Sequence, residues 1–275
     1  MVPNLDELGS LRLRGTGAEH GSVVKVAPHT EGLHYIGFEA IRLQPGLRHE
    51  GHTASFEVAI VVLGGVVTIR SQRAVWVKIG ERPDPFSGRP YAVYLPADAE
   101  YDVTAHGAAE IGICAAPARE QYPARLIRPE DIETHARGSG QALRTINNIL
   151  MENATAGSLL ITEVQSPPGN WSSYPPHKHD TDNLPTESLL EETYYFRVSP
   201  AQGFAFQRVY TADGTLDQTL TAHDGDLVLV PRGYHVVAAA AGYKLYYLNV
   251  LAGPKRALRM SFDPDHKWIM EGWSW

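Results

Sequence analysis

Cysteine is nearly absent from this sequence: Cys114 is the single one in 275 residues, so no disulfide can form within the chain. It sits in the apolar run EIGICAAPA, where a small buried side chain is expected rather than a reactive thiol. No run of Lys or Arg occurs, and 24 basic against 31 acidic residues leave a formal net charge of −7. The electrostatic footprint of a nucleic-acid binder is missing, so no nucleic-acid partner is expected. Nowhere do about 18 apolar residues run together, and a membrane-spanning helix is not expected either. The opening MVPNLDELGSLRLRG lacks the basic start and apolar stretch of a leader, and the expectation is a soluble cytoplasmic protein. Helix signals are also scarce. The best candidate is PEDIETHARG, with Pro129 and acidic residues at its start and Gly138 after its basic end, near the middle of the chain.

What the sequence does have is many short apolar runs. FEAIRL, FEVAIVVL, VVTIR, YAVYL, SLLITEVQ, TYYFRV, FAFQRVYT, DLVLV and YKLYYLNVL are rich in Val, Ile, Tyr and Phe and are separated by Gly, Pro, Asp and Asn. That is how the strands of an all-β protein read. An internal repeat divides them. Glu57 opens FEVAIVVL and Pro96 follows 39 residues later; Glu192 opens ETYYFRV and Pro231 again follows 39 residues later. The halves superpose at an offset of 135, which predicts two β-barrel domains over 1–130 and 140–275.

The chemistry concentrates in the second half. His177 and His179 lie two apart in NWSSYPPHKHD, and on an extended segment both point to the same side. A carboxylate at the head of the next strand and a histidine near PRGYH would complete a set of three imidazoles and one carboxylate, with room left for substrate or water. Glu192 and His235 occupy those places. Asp180, Asp182, Glu187 and Glu191 compete with Glu192. The 39-residue match favours Glu192, and alternation would put Tyr194 and Phe196 on its face and Glu191, Thr193 and Tyr195 on the other. The first half offers GLRHEGHTASFE and PADAEY, where Tyr101 stands at the last histidine's place. His49, His52 and Glu57 are expected to be ordinary polar residues, and this half to bind no metal.

The pair HxH, a following glutamate, and Gly225, Pro231, Gly233 and His235 in GDLVLVPRGYH resemble the two-part signature of the cupin superfamily. More closely, GNWSSYPPHKHD, EETYYFR, GFAFQRVYT, YYLNVLAGPKR and DPDHKW are similar to the 5-deoxy-glucuronate isomerases of myo-inositol catabolism, a family related to the uronate isomerases of pectin breakdown. The resemblance implies an all-β bicupin of two antiparallel jelly-roll barrels, a homo-oligomer, and one divalent ion. Zn²⁺ is the expected ion, with Mn²⁺ and Fe²⁺ as alternatives. It also implies conversion of 5-deoxy-D-glucuronate to 2-deoxy-5-keto-D-gluconate. A cupin dioxygenase using Fe²⁺ at the same ligands and a non-enzymatic sugar-binding bicupin are the other readings.

Such an isomerisation needs a group to move a proton, and Glu187, Glu191 and Tyr194 are the candidates; a hydride shift needing no base stays open. The carboxylate of a sugar acid calls for a cation. Arg208 and Lys178 are the first choices, followed by Arg197 and Arg232, and Tyr174 and Ser173 would add hydroxyl contacts. The DTDNLPTESLLE loop between His179 and Glu192 is long enough to act as a lid.

Overall fold

The computed structural model describes residues 9–271; the outermost parts of the two expected halves lie outside the described residues. Strands dominate, and their faces follow from alternation. In Glu191–Ser199, Tyr194, Phe196 and Val198 enter one core while Tyr195 enters another, as befits a strand buried on both sides.

All pairings are antiparallel. A six-stranded sheet has the spatial order Arg125–Ile127, Ala92–Leu95, Phe56–Gly64, Ala109–Pro117, Gly37–Leu43, Gly21–Val26. It packs on a four-stranded sheet of Arg48–His52, Glu100–Ala105, Val67–Ser71 and Ala74–Ile79 around Val58, Ile60, Ile69 and Val103. A seven-stranded sheet has the order Arg12–Leu13, Leu227–Val230, Glu191–Ser199, Lys244–Ala252, Leu160–Ser166, Arg144–Leu150, Glu133–Arg137. Its partner holds Asp217–His223, Phe204–Tyr210, Tyr234–Ala239, Trp171–Lys178 and Ser261–Phe262, and Phe196, Val209, Val228 and Val237 lie between them. The all-β, cupin-like architecture is therefore as expected.

The outer faces of the two large sheets form a third core, where Phe38, Val61 and Cys114 meet Tyr195, Tyr246 and Leu248. Burial there pushes the Cys114 thiol far up, leaving an inert apolar group. Arg82 grips Glu163 with two hydrogen bonds of 3.1 and 3.0 Å across this contact, and Tyr246 and Asn147 donate to the same carboxylate. A buried pair so fully bonded costs several kcal/mol when one partner is removed.

Three details correct the reading of the sequence. The expected helix does not form: Pro129–Asp131 makes one 3-10 turn, and Glu133–Arg137 is an exposed edge strand paired with Arg144–Leu150. Ile132 is its one large apolar residue, too little for a helical stripe, and the free sheet edge takes the backbone instead. Arg12–Leu13, counted with the first half, pairs with Leu227–Val228 of the second half's sheet. The repeat is also one residue off at its anchor. Glu57 faces the contact between halves, with Ala59, Val61 and Leu63, whereas Val58 and Ile60 enter the barrel. By face, Glu57 matches Glu191 and Val58 matches Glu192, since a slip of one flips every side chain. Among the described residues no helix is long and apolar enough to cross a membrane.

Candidate active site

His177, His179 and His235 converge inside the second barrel, with one potential ligand atom from each lying within 4.8 Å of the others. The strands arrange this. His177 sits directly opposite His235 across the ladder between Trp171–Lys178 and Tyr234–Ala239. The ladder is irregular between Ser172 and His177, where Pro175 and Pro176 supply no N–H. His179 lies just beyond the strand, held by reciprocal bonds with Leu190: the Leu190 amide donates to its carbonyl at 2.8 Å and its Nδ1 pairs with the Leu190 carbonyl at 2.9 Å. Glu192 is the second residue of Glu191–Ser199 in the facing sheet, and its Oε2 lies 3.1 Å from Nε2 of both His179 and His235.

The second ring nitrogens decide what this cluster is fit for. Nδ1 of His177, His179 and His235 faces the carbonyls of Pro175, Leu190 and Gly233 at 3.3, 2.9 and 3.1 Å. A carbonyl only accepts, so each Nδ1 carries a proton and, in the neutral ring that binds a metal, each Nε2 is left with a lone pair. Two such lone pairs 3.1 Å from a carboxylate oxygen repel it unless positive charge intervenes. Three oriented imidazoles and a carboxylate are the donors that suit a divalent transition ion, so the residues fit one.

Burial and mutual charge set the titration. Burial opposes the charge of Glu192, yet His179 and His235, when protonated on both ring nitrogens in the absence of an ion, outweigh it and hold its carboxyl at about 2. His177 is pushed well below the usual imidazole range by burial and by His235 and His179. Burial also works to lower His179, but Glu192 overcomes it and the net shift is upward.

The cluster opens on a cavity of about 150 Å³. Ser173, Tyr194 and Tyr247 line it with hydroxyls, and Asn148, Thr162 and Asn249 add polar groups from the sheet wall. Ser173 Oγ is 3.0 Å from the Tyr194 hydroxyl and 3.5 Å from that of Tyr247, so the three form a chain. Burial, the Glu192 charge and Tyr247 raise the Tyr194 phenol well above its ordinary range, and it remains protonated. Glu192 is the one carboxylate lining this cavity among the described residues.

Several expected residues lie elsewhere. Glu191 points out of the barrel, its two oxygens accepting from the His34 and Tyr35 amides at 2.6 and 2.8 Å; alternation forbids it the cavity. Glu187 is buried outside the cavity, paired at 2.7 Å with Lys178, which also binds Asp180 at 2.6 Å. Lys178 thus points away from its histidine neighbours, with its charge matched. The loop bearing Glu187 forms a small hairpin of Asp180–Asn183 and Glu187–Leu189, pinned by Asp180 to the Gly233 amide and by Lys255 to Asp182. Arg208 lies on the outer face of its sheet, bonded twice at 2.8 Å to Asp217 and stacked 4.1 Å from the Tyr210 ring centre. Arg197 is tied to Glu110 and Asp224. Tyr174 does line the cavity, and also an outer groove shared with Trp171 and Arg208. Among the cavity residues that the sequence reading did not single out are two cations, Arg137 and Arg144. The alternation of RTINNIL, which puts Arg144, Ile146 and Asn148 on one face, was the available signal.

In the first half, His52 pairs with exposed Asp98 and the His49 ring lies beside Tyr101. Glu57 accepts from the Gly157, Ser158 and Leu159 amides and the Tyr94 hydroxyl at 2.6 to 2.7 Å. It holds backbone of the second half, as Glu191 holds backbone of the first.

Comparison with known proteins gives this geometry a family. The chain is 49% identical over 254 residues, 92% of each sequence, to a protein of Geobacillus kaustophilus named 5-deoxy-glucuronate isomerase. A solved IolB-like protein from Salmonella typhimurium superposes with a TM-score of 0.93 at 40% identity, covering 95% of this chain and 99% of that one. An oxalate decarboxylase from Lactobacillus farciminis shares the fold at a TM-score of 0.65 and 14% identity, over 92% and 88% of the two chains. Residues 11–269 match the KduI/IolB family, and with relatives this similar over nearly its whole length the chain belongs to that family.

Proposed function

We propose that this chain is a divalent-metal-dependent aldose–ketose isomerase that converts 5-deoxy-D-glucuronate to 2-deoxy-5-keto-D-gluconate in myo-inositol degradation. The observation that carries the reading is the convergence of three imidazoles and Glu192 on a small cavity lined by linked hydroxyls. Relatives named 5-deoxy-glucuronate isomerase support the substrate. His177, His179, Glu192 and His235 would hold the ion, Zn²⁺ first by the chemistry of the donors and Mn²⁺ or Fe²⁺ next. Bound there, a divalent cation supplies Lewis-acid polarisation of the aldehyde and the adjacent hydroxyl oxygen.

The reaction moves one hydrogen from C2 to C1 and one proton from the C2 oxygen to the C1 oxygen. Tyr194, protonated and joined through Ser173 to Tyr247, passes the oxygen-bound proton: the chain accepts it as C2 becomes a carbonyl and returns it as C1 becomes an alcohol. With Glu192 engaged as a ligand, no second carboxylate lines the cavity among the described residues. This favours direct transfer of the C2 hydrogen, with its electron pair, to C1. Tyr194→Phe is expected to lower kcat about 100-fold, the scale of a lost general acid, with KM little changed and the fold kept. A kcat within threefold of wild type would remove Tyr194 from this role.

Metal analysis and isomerase assay of the purified protein, before and after chelation, test the whole reading. About one ion per chain, activity lost on chelation and restored by Zn²⁺ or Mn²⁺ are expected. Turnover in D₂O should leave the product C1 free of deuterium. Failure of the metal-loaded protein to isomerise the uronate would overturn the function, and one deuterium at C1 would overturn the hydride step alone.

A further inference from the structure

The proposed substrate brings a carboxylate into a cavity whose other end holds the linked hydroxyls and the proposed metal ligands. Arg144 lines the same cavity and is 7% exposed. Its Nη1 donates to the Ala142 carbonyl at 3.1 Å, and no carboxylate pairs with it among the described residues. The one other fully buried arginine among the described residues differs: Arg82 has Glu163.

The surroundings of Arg144 reinforce the contrast. The fields that reach it come from the hydroxyls of Tyr247 and Tyr194 and from Arg137, and burial lowers its pKa. Arg137, its direct partner across the hairpin, adds a second positive charge to the cavity wall. The turn between the two strands makes room for the guanidinium: Gly138 has φ +82°, and a Cβ there would come within 2.8 Å of Arg144 Nη1. Burial disfavours a cation without a counter-ion, and an incoming anion offsets that penalty.

We propose that Arg144 is the anchor for the substrate's carboxylate, gripping it with its planar fork while the aldehyde end lies at the histidine cluster. This rests on the reading of the cavity as a sugar-acid isomerase site. It makes Arg144 a specificity-determining residue that separates uronates from neutral aldoses, because an uncharged sugar leaves the guanidinium buried and unpaired. Arg144, Ile146 and Asn148 share one face of one strand, so the anchor sits on rigid sheet rather than on a loop.

Binding to chelator-treated protein tests the anchor without turnover. Calorimetry with D-glucuronate as probe and D-glucose as neutral control is to be run on wild type, Arg144→Met and Arg144→Lys, each checked for folding by thermal unfolding. Glucuronate affinity should fall about 100-fold in R144M, the scale of breaking a buried charge pair, and about tenfold in R144K, which keeps the charge but loses the fork. The glucose response should not change. In metal-loaded protein the same variants should raise KM for 5-deoxy-glucuronate in that order, with added guanidinium ion partly rescuing R144M. If R144M does not fold, the tenfold loss in R144K decides. Equal glucuronate responses from wild type and variant, including none from either, overturn the anchor. A wild type that does not isomerise the uronate, yet binds glucuronate through Arg144, instead overturns the isomerase reading.

Discussion

Alanine at His177, His179 or His235 is expected to reduce bound metal from about one ion per chain to about a tenth or less, and kcat/KM by about a thousandfold or more. The reason is the orientation of each ring. Every Nδ1 is fixed on a backbone carbonyl, so each Nε2 is aimed in advance at the common centre. Glu192→Gln keeps the shape but removes the negative charge that lies 3.1 Å from two imidazoles, and should cost about a hundredfold in metal affinity. The two controls are chosen for their geometry. Glu191→Gln touches a residue whose oxygens accept amides of the other half, and His52→Ala touches an exposed pair with Asp98. Both should retain the ion. Elemental analysis of the purified variants, beside initial rates, checks all of these; a His179→Ala protein with full metal content would sink the assignment.

The architecture was legible because strand residues and turn residues alternate along the whole chain. The face of each residue in EETYYFRVS was legible too, since the period of two leaves no freedom once one residue is placed. Tyr194 and Phe196 lie inside the barrel and Tyr195 outside it. The count of 39 residues reached Glu192 from an anchor that faces the other way, because Glu57 lies on the outer face of its sheet. What stayed hidden was carried by partners remote in sequence. Lys178 looked free until Glu187 closed on it, and Arg208 until Asp217 did. Arg144 lies in RTINNIL, where two asparagines and an arginine mask a strand, beside a segment whose caps mimic a helix. A strand at the rim of a cavity carries polar residues on its buried face, and hydrophobic periodicity does not find it.

Removal of Glu57 should produce the largest loss of stability, and its chemistry explains why. The carboxylate is fully buried and receives four hydrogen bonds, three of them from successive backbone amides at Gly157, Ser158 and Leu159. Gly157 approaches so closely that a Cβ there would lie 3.1 Å from a Glu57 oxygen. Glu57→Leu leaves those amides without an acceptor in a dry contact, at about 1 to 3 kcal/mol each before any relaxation. A total of about 3 to 5 kcal/mol follows, or roughly 10 °C in Tm for a chain of this size. Glu57→Gln keeps one oxygen but turns an NH₂ toward N–H donors, and should recover less than half of that loss. Glu191→Gln, at the matching face of the other half and without a hydroxyl donor like that of Tyr94 on Glu57, should cost less than the same change at Glu57. The amides at stake feed directly into Leu160–Ser166, whose Thr162 and Val164 line the cavity. Below the lowered melting point the metal ligands keep their own supports, so kcat should stay within about threefold while the midpoint of thermal unfolding drops. A Glu57→Leu protein as stable as wild type would show that the halves are held by their apolar contact alone.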